Sequence, residues 1–243
     1  MMERMNRALG KHTPAFTRLE LLACLCVVAL LTPIIGRVLA ASGSRADRVA
    51  CFSNLRQIGV GYAQFGLEHG DQTAWQLPIA EGGNRDYLGK NDAFMQFAIL
   101  SNYIASPKVL MDPADDRGFS TRVATSWDNH PQGGLLNSAF KNNAISYFLG
   151  LDGNFSTPGL PLSGDRNLNH MGISSCSSGV APAATLWLMP QTTTSWTNGV
   201  HGLSGNLLLY DGTVHQLDTQ GLRGIIPRQI SDGPRIYHIL LPF

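Results

Sequence analysis

The chain has 243 residues, 44% of them hydrophobic and only 14% charged, with a net charge of +1. From Ser42 onward 13 Lys and Arg stand against 15 Asp and Glu, so nothing draws the chain to nucleic acid and no such partner is expected. The charged fraction falls below the roughly one quarter usual in soluble domains, because of one apolar segment near the N-terminus and a Gly-, Ser-, Thr- and Asn-rich C-terminal region.

Residues 1–15 are short, polar and basic, with Arg4, Arg7 and Lys11 against one acid, Glu3. Ala15-Phe16-Thr17-Arg18-Leu19-Glu20 follows, and from Leu21 to Ile35 there is no charge. Continued through Val38–Ala41, the run reaches the ~20 residues that span a bilayer, which predicts a transmembrane helix over 16–41. A cleavable secretory signal with a small-residue site at Ala40-Ala41 is the competing reading. Against it stand Glu20, an acid costly in lipid, and a helical pattern that continues beyond the apolar run. Val49, Phe52, Leu55, Gly59, Tyr62 and Phe65 recur at the three- and four-residue spacing of one helix face. Residues 42–70 are therefore predicted as an amphipathic continuation, with kinks expected at Pro33 and at Ser42-Gly43-Ser44.

The leader, Phe16, Glu20 and the apolar helix resemble the prepilin family, which includes type IV pilins and the pseudopilins of type II secretion. In that resemblance prepilin peptidase cuts after Ala15, Phe16 becomes the N-methylated first residue, and Glu20 supplies the carboxylate that partners the new amine and sets subunit register. A buried ammonium needs such a partner; the alternative is that Glu20 only rests among lipid headgroups. Ala15 departs from the family's usual Gly, and Arg18 from its usual aliphatic residue. Arg18 also places a cation within two residues of Glu20. Charges before and after the span are similar, so the cytoplasmic N-terminus and the periplasmic or extracellular domain are implied by the resemblance rather than by charge.

Cys51-Phe52-Ser53-Asn54-Leu55-Arg56-Gln57-Ile58-Gly59 extends the match. It resembles a stretch common in large pseudopilin-like families abundant in planctomycetes and related lineages. Those families often carry Cys-Pro-x-Asp in mid-domain, where this chain has Asp112-Pro113-Ala114-Asp115; any family disulfide at that cysteine is lost. Asp112, Asp115 and Asp116 read either as a solvated turn or, with the EF-hand spacing absent, as an irregular calcium loop. Cys24 and Cys26 lie in the apolar run as small hydrophobes. Cys51 and Cys176 are a possible disulfide if the domain is exported.

Strands are predicted at 145–150, at 184–189 before Pro190, and at 236–241. A hairpin is predicted with strands at 206–210 and 213–217 around an Asp211-Gly212 type I′ turn. His201 followed by Asp211-Gly212 matches the H-x9-D-G signature of the same families, and these three residues are read as a structural signature. A metal set of His201, Asp211 and His215 is the alternative. No catalytic constellation is found: there is no nucleophile elbow, phosphate loop, dinucleotide fingerprint or zinc cysteine pair.

The sequence thus predicts an α+β fold, with a long N-terminal helix packed on an antiparallel β-sheet in the pilin manner. Residues 1–15 are the leader, 16–41 the span, 42–70 the helix continuation, and 71–243 a β-rich exported domain with irregular insertions near 70–140 and 152–180. No catalytic residue, metal or cofactor is expected. The expected partners are prepilin peptidase, other pilin-like subunits in a homo- or hetero-oligomer, and the inner membrane. The competing readings are a non-polymerising anchored surface binding protein and an anchored metal-dependent enzyme.

Overall fold

The computed structural model describes residues 17–88, 92–117, 122–169, 185–187, 194–229 and 237–242, the side chains of 33–44, 185–187 and 226–229 excepted. The leader, Ala15, Phe16 and Cys176 lie outside them. The chain divides into two compact units, residues 1–43 and 44–243.

Helix α1, Arg18–Glu68, begins in the first unit and ends in the second. Its start is a capping box. The Thr17 hydroxyl accepts from the Glu20 N–H at 3.2 Å, and the Glu20 carboxylate accepts from the Thr17 N–H at 2.9 Å. Its end is a Schellman turn: Gly70 adopts φ 65°, and the Asp71 N–H donates to the Gly66 carbonyl at 2.8 Å. In the first unit Leu19, Leu22, Leu25, Val28 and Leu30 are all exposed. Among the described residues no helix is long and apolar enough to cross a membrane; the predicted span 16–41 includes side chains outside them.

In the second unit α1 buries a face made of Cys51, Leu55, Ile58, Tyr62 and Phe65. The alternating steps of four and three hold these side chains on one stripe. Two residues assigned to that face from sequence do not belong to it. Val49 is 69% exposed, and Phe52 is half-buried at the stripe's edge, while Cys51 and Ile58 occupy its centre.

Among the described residues the sheet has six antiparallel strands: β1 Tyr147–Gly150, β2 Pro161–Asp165, β3 Thr185–Trp187, β4 Ser204–Leu209, β5 Val214–Asp218 and β6 His238–Leu240. Their order is β3-β6-β1-β2-β4-β5. Strand alternation sends Tyr147, Leu149, Leu208 and Leu240 into the same core as the α1 stripe. Phe148, Leu207, Leu209 and Ile239 point the other way, into a second core with Trp196 and Leu222. Leu222 comes from α3, Thr219–Gln229, a helix that is not among the elements predicted from the sequence. The sheet is therefore covered on both faces, which explains why β1 and β2 are buried at every position.

The segment expected as an irregular insertion near 70–140 is irregular but packed. It holds the short helix α2, Ala93–Ala98, with several single-turn helices, and contributes Trp75, Phe97, Leu100, Leu110 and Leu135 to the α1 core. β2 lies within the other expected insertion, 152–180, and pairs β1 with β4. The hairpin between β4 and β5 is present, but its turn is not type I′. Gly212 has φ 81° while Asp211 does not have positive φ, and the Gly212 N–H donates to the Leu209 carbonyl at 3.0 Å. That is a type I turn closed by a left-handed glycine, the usual three-residue connection.

Candidate functional site

Four elements bring chemistry-bearing side chains together at one edge of the α1 core. Cys51 comes from α1 and Asp112 from the loop after the single-turn helix Pro107–Leu110. Asp165 ends β2, and His201 sits in the loop before β4. One ligand-competent atom from each lies within 4.8 Å of all the others, and all four residues are buried.

The His201 Nε2 is 2.8 Å from the Asp112 Oδ2 and 3.7 Å from the Asp165 Oδ2. The shorter contact lacks hydrogen-bond geometry, so the Asp112 Oδ2 and the His201 Nε2 are both buried without a hydrogen-bond partner. The Cys51 thiol donates to the Asp165 Oδ1 at 2.9 Å. Asn206, on β4, donates its backbone N–H to the Asp165 Oδ2 at 2.7 Å and its side-chain amide to the Cys51 Sγ at 3.1 Å. The other oxygen of Asp112 accepts from the Ala114 N–H at 2.8 Å. The Arg48 guanidinium holds the His201 carbonyl at 3.0 Å, and the Ser204 hydroxyl donates to the same oxygen at 2.7 Å. A cleft of about 440 Å³ lined by Asp47, Arg48, Ala114, Val200, His201 and Gly202 lies beside His201.

Crowding acids in a dry place changes their protonation. Burial and the charge of Asp112 push the Asp165 carboxyl up to about 7. Burial, with the neighbouring Asp165 and Asp112 carboxylates, also drives the Cys51 thiol far up, so in this arrangement it keeps its proton. Burial would depress His201, but Asp112 and then Asp165 outweigh it and raise its pKa.

Beside this cluster lies an ion network. Arg166 grips Asp115 through two nitrogens, and the Arg117 Nε stands 3.3 Å from the same carboxylate. Burial raises the Asp115 pKa, yet Arg166 and Arg117 reverse the shift and leave it below the ordinary carboxylate value. The acidic turn expected to be solvated is thus largely internal: Asp112 and Asp115 are buried, and only Asp116 is exposed. The sequence carried no sign of Arg166, because charge-pair partners far apart in the chain have no spacing rule.

The sequence-derived residues separate into three environments. His201 enters the buried cluster, whereas Asp211 and His215 do not, so the alternative metal set is not assembled. Asp211 accepts from the Thr213 N–H at 2.8 Å and its hydroxyl at 2.6 Å, which shapes the hairpin tip; the His215 Nε2 meets the same hydroxyl at 3.2 Å. Cys51 is a free thiol. Glu20 is exposed, and its carboxylate is engaged by Thr17 rather than by Arg18. Asp165 escaped sequence reasoning altogether, since its only local sign is the apolar Leu160-Pro161-Leu162 just before it.

No protein-family model matches the chain, and no curated protein or solved structure matches it.

Proposed function

We propose that this chain is a pilin- or pseudopilin-like structural subunit of a type II secretion or type IV pilus-like assembly. In this reading prepilin peptidase cuts after Ala15, Phe16 becomes the methylated N-terminus, and the apolar part of α1 holds the chain in the inner membrane. The domain then lies on the periplasmic or extracellular side, and the chain carries no catalytic residue. The observation that supports it most is the first part of α1. Leu19 is 82% exposed, Leu22 66% and Leu30 72%, and apolar side chains point outward around the helix. A helix apolar all round requires an apolar surrounding, which lipid or the helices of neighbouring subunits supply.

A second reading, an anchored surface protein that does not polymerise, is favoured by Glu20. Its carboxylate already accepts from the Thr17 N–H and hydroxyl, both at 2.9 Å, so it does not require the amine of another subunit.

Co-expression with prepilin peptidase, followed by mass spectrometry, tests the first step. The expected product begins at N-methylated Phe16. An intact leader, or a new end after Ala40 or Ala41, sinks the pilin reading. Cysteine crosslinking between α1 helices in membranes separates the two readings, since an unassembled anchor gives only monomer.

A further inference from the structure

We propose that Cys51, Asp112, Asp165 and His201 form a structural zinc site that fastens four elements of the domain together. The donor set is one thiolate sulfur, one imidazole nitrogen and two carboxylate oxygens, a composition that suits zinc rather than calcium or magnesium, which prefer all-oxygen shells. The geometry agrees. A tetrahedron built on zinc bonds of ~2.0–2.3 Å has edges of ~3.3–3.8 Å. The donor separations here run from 2.8 Å to no more than 4.8 Å, so small side-chain shifts suffice.

A second observation points into the same space. The Asp112 Oδ2 and the His201 Nε2 are buried, face each other at 2.8 Å, and have no hydrogen-bond partner. The side chain of His201 is 3% exposed and that of Asp112 is fully buried. Buried polar atoms that make no hydrogen bond are costly; these two meet only as an ion-pair contact, and a cation bound to both gives each a ligand bond. The outer contacts are those of a supported site. Asn206 donates to both Cys51 and Asp165, and the Ala114 N–H fixes the free oxygen of Asp112. Binding displaces the thiol proton of Cys51 together with any proton that His201 Nε2 or Asp165 carries, and all are released to water. All four positions are filled by protein, which marks a closed structural site rather than a catalytic one with an open position. The cleft lined by Arg48, Ala114 and His201 borders the site on its solvent side.

The test uses the full chain in detergent with Cys24, Cys26 and Cys176 changed to Ser, so that Cys51 is the sole thiol. Stripped with a chelator, incubated with Zn²⁺ and desalted, it is expected to retain one zinc per chain and to melt at a higher temperature. Co²⁺ is expected to give a thiolate-to-metal charge-transfer band with the intense visible bands of a tetrahedral ion. Asn206→Ala, which touches no metal, should weaken affinity by about 10–100-fold, and His215→Gln should leave it unchanged. Absence of retained zinc in this folded protein overturns the proposal, as does a cobalt spectrum without the thiolate band. Asp112→Asn then serves as the ligand variant, with tryptophan fluorescence to check that it folds; undiminished zinc retention in it also overturns the site.

Discussion

Leu25 and Leu55 ride on the same helix, yet Leu25 is 61% exposed and Leu55 is fully buried. Around Leu25 the helix is apolar on every side, so no single face is defined for a partner to cover. Around Leu55 the apolar residues form one stripe, with Ser53, Arg56 and Gln57 exposed on the other side, and the stripe is covered by β1, β4 and β6. Helix propensity does not explain the difference, since the buried stretch, with Gly59 and Gly61, is the poorer helix former. What differs is the pattern of apolar residues, and it decides whether the helix is stabilised by its own chain or requires another surface.

The comparison is broken most directly at its buried member. Leu55→Ala is expected to lower the unfolding free energy by about 2–5 kcal/mol, the cost of a buried cavity. All four tryptophans, Trp75, Trp127, Trp187 and Trp196, lie beyond α1, so their fluorescence in a denaturant titration reports on the domain.

Asp115→Asn should cost about 3 kcal/mol, because Arg166 and Arg117 then lose a fully buried carboxylate. The same residue gives a pH dependence. Its native pKa lies below the ordinary value, so its contribution is complete above the unfolded carboxylate pKa and disappears as the pH falls through the depressed one. Acid unfolding followed by tryptophan fluorescence is expected to show a shallower slope in Asp115→Asn than in the parent.

Gly66→Ala probes the end of the buried stretch. A Cβ there would come within 2.4 Å of the Phe155 ring, and overpacking of that kind costs about 1–3 kcal/mol. A melting temperature equal to the parent's would show that Phe155 swings away freely.

Leu25→Ala should be the smallest effect, within about 0.5 kcal/mol on domain unfolding. Its consequence belongs elsewhere: replacing Leu22, Leu25 and Val28 together with Ser is expected to shift the chain from the membrane pellet toward the soluble fraction without changing the domain's denaturation midpoint. A changed midpoint would mean that the apolar stretch supports the domain after all.

Much of the fold is legible in the residues. The 3.6-residue stripe places α1, and runs such as Tyr147-Phe148-Leu149 and Asn206-Leu207-Leu208-Leu209 place strands. Asp211-Gly212 places the hairpin, although the turn closes as type I because only Gly212 takes the left-handed conformation. β2 and α3 were harder to read. Pro161-Leu162-Ser163-Gly164-Asp165 has the composition of a loop and becomes a strand because β1 and β4 bond to it from both sides. Thr219–Gln229 contains glycines at 221 and 224 and a proline at 227, poor helix formers, and Leu222 is its buried anchor in the second core.

The candidate site shows the same division. Sequence singled out Cys51, Asp112 and His201, but for three unrelated reasons: a disulfide, an acidic turn and a hairpin signature. Nothing in their spacing joined them, and Asp165 was not among them. By itself the sequence determined the helix, the two kinds of surface along it and most of the strands, because these follow from periodicity within short stretches. Only the tertiary structure decided that α1, the Asp112 loop, β2 and the loop before β4 meet at one buried point. That meeting depends on strand order and long-range packing, and local spacing carries no record of either.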